Sequence, residues 1–366
     1  MRGVSLGAIL LLEDGRVFEG EAFGCPTTKI GEVVFHTTMT GYQEVLTDPS
    51  FAEQVVVMTA PHIGNTGINL EDPESSRVWS CGFVVRSLSR APSSWRSEGG
   101  LHQYLQKYGV PGIQGVDTRA LVRHIRTHGA MKCAISTDNT PIEELKQRLR
   151  AWPGMVGRSL ATEVCCDEAY VYHDPANPRL RITVVDGGVK TNILRLLRAK
   201  GVYIRVHPIT DPPEAWIDGV DAVLFSNGPG DPAASKAVIA STQKAIAARP
   251  CVGICLGHQV LALALGATTY KLPFGHRGGN QPVQDQRTRK IQITSQNHGF
   301  AVDAASLTAV GAEVTHVHLN DQTVSGFSHA DKGVYAVQYH PEGAPGPHDG
   351  EGLLEEFLQF VEARCR

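Results

Sequence analysis

The second half of the chain alternates short apolar runs with stretches of helical periodicity. The apolar runs, which predict strands, cover 180–185, 202–206, 222–225 and 252–254. The stretches of helical periodicity cover 190–200, 233–248 and 258–265. Strands and helices that alternate in this way build a mainly parallel sheet with helices on its faces. Later apolar runs predict further strands, some of them antiparallel, before a closing helix at 352–363.

The first half has a different pattern, in which short apolar runs are separated by turn signals. This pattern predicts a β-rich domain of α+β character. Two stretches, 118–127 and 141–151, have helical periodicity. Asp117 stands where a helix N-cap is expected.

The length of 366 residues corresponds to about two domains. Periodicity fades between the halves, and the Pro- and Asn-containing stretch 173–179 is typical of a connection between domains. We therefore predict an N-terminal domain at 1–152, a second domain at 179–366, and a linker at about 153–178.

Composition excludes several classes of partner. The chain has 34 Lys and Arg against 37 Asp and Glu, a net charge of −3, so no basic field is present to bind nucleic acid. The most apolar long stretch, 251–268, is interrupted by His258 and Gln259 and by glycines, which argues against a membrane span. The apolar run near the start is followed directly by Glu13 and Asp14, so it predicts a first strand and not a signal peptide.

The eight cysteines form no CxxC pair, which fits a reducing cytoplasm.

The sharpest local signal is Cys255, which lies in the pentapeptide GICLG between a predicted strand and a predicted helix. Small flanking residues permit a strained turn that lifts a nucleophile out of the sheet edge, as in a nucleophile elbow. The N-terminus of the helix would also favour the thiolate. A buried cysteine in a glycine-rich turn fits the same five residues.

A cysteine nucleophile needs a base and a group that orients the base. His340 and Glu342 are candidates, because Pro341 between them favours an extended backbone in which both side chains project to the same side. A His-x-Glu sequence by itself is also common on protein surfaces.

Three further patterns are weaker. The turn at 226–232 has two glycines that could offer backbone N–H groups to an oxyanion, or could be an ordinary tight turn. The NHGF motif at 297–300 is predicted to be a loop after a strand. His316 and His318 share a strand face, but no nearby cysteine or carboxylate completes a metal shell, so we predict no metal site. Neither a P-loop nor a GxGxxG motif is present, which argues against nucleotide binding by this chain.

In this order, NGPGDP, GICLGHQ and HPE resemble the motifs of class I (triad) glutamine amidotransferases, which hydrolyse glutamine to glutamate and ammonia. Other motifs make nearly the whole chain similar to the small, glutaminase subunits of carbamoyl-phosphate synthetases. Those motifs are GYQE from Gly41, TDPS from Thr47, PHIGNTG from Pro61, GVDTR from Gly115, FGHRGGN from Phe274 and PGPHD from Pro345.

The resemblance implies a role for each matched residue. Cys255 would attack the glutamine carboxamide, His340 would transfer the proton, and Glu342 would orient His340. The backbone N–H groups of Gly228 and Leu256 would form the oxyanion hole. The residues implied in holding L-glutamine are Ser50, Gly228, Gly230, Leu256, Gln259, Asn297, Gly299 and Phe300.

Ser50 belongs to the first domain, so the resemblance places the site at the domain junction. It also implies a large partner subunit that receives ammonia through a tunnel and makes carbamoyl phosphate for arginine and pyrimidine synthesis. ATP, its magnesium and bicarbonate would belong to that partner, and this chain would hold no cofactor and no metal.

Two alternatives keep part of this interpretation. The chain could be the glutaminase of another amidotransferase, for instance in anthranilate or GMP synthesis, but those domains lack a β-rich extension with the TDPS and GVDTR motifs. It could also be a silent regulatory subunit, for which a broken triad is expected. Here Cys255, His340 and Glu342 are all present.

Overall fold

The structure, a computed structural model, describes residues 7–365 and divides between Met155 and Val156 into two compact units. The part of the predicted first strand that falls on residues 1–6 lies outside the described residues. Every helix within 7–365 is too short or too polar to cross a lipid bilayer.

The first unit is β-rich, as predicted. Its strands are β1 (Gly7–Leu12), β2 (Val17–Gly24), β3 (Thr28–His36), β4 (Gln54–Met58), β5 (His62–Ile63), β6 (Gly82–Val84), β7 (Ser87–Leu88), β8 (Pro111–Gln114) and β9 (Met131–Ser136). Its helices are α1 (Tyr42–Thr47), α2 (Leu101–Lys107), α3 (Thr118–His128) and α4 (Ile142–Ala151), with a 3-10 turn at Pro49–Phe51.

Seven of these strands close into a barrel in the order β1-β2-β8-β6-β4-β3-β9. Both predicted helices of this unit are present as α3 and α4. Asp117 caps α3, because its carboxylate accepts a hydrogen bond from the backbone N–H of Ala120 at 2.9 Å. Leu121 and Ile125, four residues apart, bury the inner face of α3.

The second unit is an α/β sandwich. Its strands are β10 (Tyr170–His173), β11 (Arg181–Asp186), β12 (Tyr203–Pro208), β13 (Ala222–Phe225), β14 (Cys251–Ile254), β15 (Thr269–Asp285), β16 (Ile291–Val302), β17 (Glu313–His318), β18 (Val324–His329) and β19 (Val334–Val337). Its helices are α5 (Ala161–Val164), α6 (Thr191–Ala199), α7 (Pro213–Ile217), α8 (Lys236–Ala248), α9 (Leu256–Leu265), α10 (Ala304–Ala309) and α11 (Gly352–Cys365), with a 3-10 turn at Pro232–Ala234.

One ten-stranded sheet, in the order β10-β12-β11-β13-β14-β19-β18-β17-β15-β16, runs through this unit. Five neighbouring strands are mutually parallel, in the order β12, β11, β13, β14 and β19. The other neighbouring strands of the sheet pair antiparallel. The sheet is therefore mixed, and the predicted parallel arrangement describes its α/β half. Only a short turn joins β15 to β16, and such a connection permits antiparallel pairing alone.

Helices cover both faces of the parallel half. The core on one face includes Ile193 of α6 and Phe357 of α11, and the core on the other includes Val238 of α8 and Leu261 of α9. Buried on both sides, the parallel strands β13, β14 and β19 consist almost entirely of apolar residues.

The segment predicted as a linker, about 153–178, is largely folded onto the second unit. Strand β10 pairs antiparallel with β12, and Ala161 of α5 belongs to a core cluster. The first two residues of β10, Tyr170 and Val171, are exposed, so this edge strand lacks the pattern of buried apolar residues by which a strand is predicted from sequence.

Candidate active site

Cys255 occupies a strained turn between β14 and α9. Its φ of 55° and ψ of −102° lie in a region that non-glycine residues rarely adopt, at a cost of about 1–3 kcal/mol. The backbone N–H of Cys255 donates to the carbonyl oxygen of Val337 at 2.9 Å, which fixes the turn to the end of β19. The side chain is 1% exposed and stands at the N-terminus of α9.

The glycines of the GICLG pentapeptide are required by close packing. A Cβ at Gly257 would lie 2.1 Å from the carbonyl oxygen of Phe225, and a Cβ at Gly253 would lie 2.7 Å from the backbone of Gly257. The strand, the turn and the first turn of α9 can therefore approach one another only because these side chains are absent.

We expect Gly257→Ala to lower the free energy of unfolding by about 1–3 kcal/mol, because the added methyl group meets backbone atoms that cannot rotate away. Gly352→Ala is the matched control, since it adds the same methyl group at the start of α11 with no atom within 4 Å. Chemical denaturation of both variants measures the effect. Equal denaturation midpoints would contradict it.

His340 and Glu342 form a buried pair. The Nδ1 atom of His340 donates a hydrogen bond to Oε1 of Glu342 at 2.6 Å. The backbone N–H of His340 donates to the carbonyl oxygen of Ser295 at 2.8 Å, which holds this segment against β16. The buried Nε2 atom makes no hydrogen bond of ordinary geometry within residues 7–365, although the Cys255 thiol is close enough to affect the ring electrostatically.

Lys190, which the sequence reasoning missed, completes this cluster. Its Nζ atom donates to Oε1 of Glu342 at 2.9 Å and also to the carbonyl oxygen of Gly343, and its side chain is 2% exposed. Asn192 donates to the backbone carbonyl of Glu342 at 2.6 Å. The sequence signal that could have identified it is its position, since this lysine follows the turn after β11 and directly precedes α6.

The charges of this cluster are interdependent. Burial raises the pKa of the Glu342 carboxyl, but the cations of Lys190 and His340 outweigh burial and lower it to about 2. Burial lowers the pKa of His340, but Glu342 and Cys255 outweigh burial and raise it above its usual range. At neutral pH the carboxylate is ionised, and the imidazole has a high affinity for a proton.

The NHGF motif lies beside Cys255 but not in a loop, so that prediction is wrong. Asn297, Gly299 and Phe300 all belong to β16, where Asn297 pairs with Arg277 of β15. The long β15–β16 hairpin supplies the hydrogen bonds that keep a polar, glycine-containing sequence extended. The Cys255 thiol donates to the carbonyl oxygen of Asn297 at 3.5 Å.

Gln259 joins α9 to the same strand. Its Nε2 atom donates to the carbonyl oxygen of Phe300 at 2.8 Å and to Oε1 of Gln338 at 3.0 Å. The structure thus brings Gln259, Asn297 and Phe300 together around Cys255.

The turn after β13 lies against the same helix start. The backbone N–H of Gly257 donates to the carbonyl oxygen of Ser226 at 3.0 Å. A Cβ at Gly228 would lie 2.0 Å from the carbonyl oxygen of Gly187, and Gly230 has a φ of 96°. Within the described part of the chain, the backbone N–H groups of Gly228 and Leu256 donate no hydrogen bond.

Ser50 belongs to the first unit, in the 3-10 turn Pro49–Phe51. Its backbone N–H donates to Oδ1 of Asp48 at 2.9 Å, and the residue is buried. Its part in glutamine binding and the location of the site at a domain junction stay predictions.

Two family models match the chain. The model described as carbamoyl-phosphate synthase small chain, CPSase domain, covers residues 10–135, and glutamine amidotransferase class-I covers 183–360. The carbamoyl phosphate synthase small chain of Solidesulfovibrio magneticus is 49% identical over 97% of this chain and 98% of its own length. The chain belongs to the carbamoyl phosphate synthase small-chain family. The family predicted from the motifs is thereby confirmed.

A second member of this small-chain family, from Streptomyces avermitilis, is 48% identical over 98% of this chain and 96% of its own length. Among solved structures, a glutamine amidotransferase from Thermotoga maritima is 17% identical, with a TM-score of 0.37, and the match covers 51% of this chain and 86% of that one.

Proposed function

We propose that this chain is the glutamine-hydrolysing subunit of a carbamoyl phosphate synthase and that Cys255 is its nucleophile. The observation that carries the assignment is the strained Cys255 turn at a helix N-terminus, with the buried His340–Glu342 pair beside it. Membership of the small-chain family indicates which subunit this chain would be. The geometry around Cys255 suits a thiol nucleophile with a general base.

The positions of these side chains support the following proposed reaction. His340 takes the proton of the Cys255 thiol as sulfur attacks the side-chain carboxamide carbon of glutamine. The carbon–nitrogen bond then breaks, His340 gives the proton to the departing ammonia, and a thioester remains. Water, activated by His340, hydrolyses the thioester to glutamate and restores the thiol. Glu342 stabilises the imidazolium in both steps, and Lys190 keeps Glu342 ionised.

The tetrahedral intermediates carry negative charge on oxygen. The N–H groups of Gly228 and Leu256 are proposed to receive it, and each such donor typically contributes about 3 kcal/mol to catalysis. Both groups lie on rigid turns, because the backbone around Gly228 and Gly257 is held by close packing. The residues proposed to hold L-glutamine are Ser50, Gly228, Gly230, Leu256, Gln259, Asn297, Gly299 and Phe300.

A small chain implies a large chain as its partner, and we propose that ammonia reaches this partner through a tunnel. The large chain would use ATP, with its magnesium, and bicarbonate to make carbamoyl phosphate. This chain is proposed to hold no cofactor, which agrees with the absence of P-loop and GxGxxG motifs from its sequence. A cytoplasmic location without nucleic-acid or membrane partners is likewise proposed, on the charge and cysteine content.

Reconstitution with the large carbamoyl phosphate synthase chain of the same organism tests the function. We expect the complex to form carbamoyl phosphate from ATP and bicarbonate with either glutamine or ammonia as nitrogen donor. Omission of this chain should remove only the glutamine-dependent reaction. Failure of the two chains to associate, with association instead to a chorismate-using or nucleotide-amidating enzyme, would favour the alternative amidotransferases.

A further inference from the structure

A second cluster of polar side chains lies in the second unit and takes no part in the proposed triad. It consists of His276 of β15, His318 at the end of β17, and Asp321 in the turn that follows β17. One ligating atom from each residue lies within 4.8 Å of the other two. Both histidines are buried, whereas the Asp321 side chain is 39% exposed, so the cluster opens to solvent on the carboxylate side.

The carboxylate of Asp321 bridges the two rings. Its Oδ2 atom lies 2.7 Å from Nε2 of His276, and its Oδ1 atom lies 3.4 Å from Nδ1 of His318. The two imidazole rings stack with centroids 4.2 Å apart. Each carboxylate oxygen therefore faces one ring nitrogen.

The protonation of His318 leaves a lone pair beside the carboxylate. With the Gln281 amide oriented as in the structure, Nε2 of His318 donates to Oε1 of Gln281 at 2.9 Å, so Nδ1 is the unprotonated nitrogen. That lone pair accepts a hydrogen bond from the backbone N–H of Asn320 at 3.2 Å and also faces Oδ1 of Asp321, so an ion bound there would replace the Asn320 contact.

The surroundings resemble the outer shell of a metal site. A ligating histidine commonly donates its second N–H to an oxygen acceptor, as His318 does to Gln281. A ligating carboxylate is commonly hydrogen-bonded as well, and Oδ1 of Asp321 accepts from the hydroxyl of Thr323 at 2.9 Å.

We propose that His276, His318 and Asp321 bind one divalent transition-metal ion of the zinc class, with water as a further ligand. Two imidazoles and one carboxylate are a donor set of tetrahedral zinc sites that keep an open position, whereas magnesium and calcium prefer oxygen ligands alone. Bonds of about 2.0 Å in tetrahedral geometry place neighbouring ligand atoms about 3.3 Å apart. One ligating atom of each residue lies within 4.8 Å of the other two, so ion binding requires the side chains to move closer and the stacked rings to turn toward a common point.

The sequence analysis predicted no metal site because it considered His316 and His318, on one strand face, as the possible ligands. In the structure the pairing of β17 with β18 is irregular around His316, and the His316 ring contacts Tyr339 instead. The partners of His318 come from β15 and from the next turn, which a search along one strand does not include.

Such an ion would join β15, β17 and the turn after β17, so its binding has a stability readout. We would remove metal from the full chain with a chelator and titrate it with Zn²⁺, following both bound metal and thermal unfolding. The test variant is Asp321→Asn. The matched control is Asp211→Asn, because His207 and Asp211 form a pair of the same 2.7 Å length with no second histidine within the described residues.

Wild type and Asp211→Asn should each bind one Zn²⁺ with at least about 100-fold higher affinity than Asp321→Asn, since loss of a ligand exceeds the effect of losing an outer-shell partner. Their Tm should also rise with Zn²⁺, and that of Asp321→Asn should not. Equal binding by all three proteins would overturn the proposal. His318→Gln, which keeps the Asp321 carboxylate, should reproduce the loss if Asp321→Asn folds poorly.

Substitution by Co²⁺ identifies the donor atoms. We expect visible absorption from a nitrogen and oxygen ligand set without thiolate charge-transfer bands. Thiolate bands in the tightly bound complex would instead assign the metal to cysteines and overturn the proposal. None of these measurements depends on glutamine hydrolysis, so their failure would leave the proposed function untouched.

Discussion

Replacement of Cys255 by serine is expected to abolish carbamoyl phosphate synthesis from glutamine and to leave synthesis from added ammonia unchanged. Serine keeps the size of the side chain, but a hydroxyl is far harder to deprotonate than a thiol and attacks the carboxamide poorly. We expect kcat/KM for glutamine to fall by at least about 10³-fold, as when the nucleophile of a triad is removed. The measurement is steady-state synthesis by the reconstituted complex with each nitrogen donor.

Cys251→Ser is the matched control. Cys251 is also buried, and its thiol donates to the carbonyl oxygen of Arg249, away from the His340–Glu342 pair. This variant should keep glutamine-dependent activity. Retention of that activity by Cys255→Ser, in a preparation free of wild-type chain, would rule out Cys255 as the nucleophile.

Lys190→Met is expected to destabilise the protein by about 3–5 kcal/mol and to impair glutamine hydrolysis. The substitution removes the cation of a buried pair and leaves the Glu342 carboxylate in the interior without it. The pKa of Glu342, now about 2, should then rise. A protonated Glu342 stabilises the His340 imidazolium less well.

The lowered pKa of Glu342 also predicts how stability and activity depend on pH. Since the pKa of Glu342 in the folded protein lies below its ordinary value of 4.5, ion pairing stabilises the fold fully above pH 4.5, and this contribution is lost as pH falls toward 2. In Lys190→Met the pKa of Glu342 in the folded protein rises, so this contribution to stability should be smaller and its loss should be complete at a higher pH, and the acid limb of kcat/KM should shift to higher pH. Unfolding free energies and pH–rate profiles of the complex measure both effects.

Lys200→Met provides the comparison. Lys200 pairs with Glu355 at 3.2 Å, but the pair is partly solvent-exposed and should contribute at most about 1 kcal/mol. If Lys190→Met and Lys200→Met unfold at the same denaturant concentration and share one acid limb, the proposed role of Lys190 is wrong.

Local signals allowed much of the fold to be predicted. The strand and helix alternation after 179 marks the parallel half of the sheet, because buried strands are apolar throughout and the helices are amphipathic. Asp117 was found because a cap interacts with its own helix. The His340–Glu342 contact could be predicted because the two residues are only two positions apart.

Features that depend on distant partners could not be predicted. The NHGF segment is extended only because β15 lies beside it, and the two histidines of the proposed metal site, His276 and His318, come from the paired strands β15 and β17, which are far apart in the sequence. Lys190 meets Glu342 across the sheet edge, from a turn that carries no mark of its role. Such contacts are set by tertiary packing and leave no periodic pattern in the chain.

Closure of the seven-stranded barrel limits how the barrel can recognise other proteins. Each barrel strand already has two hydrogen-bonded neighbours, so the barrel leaves no free strand edge onto which a foreign strand could be added. The second unit, by contrast, ends in β10 and β16. Recognition through the barrel must therefore use side chains and connecting loops, and interface variants there should be chosen among exposed side chains, not among backbone positions.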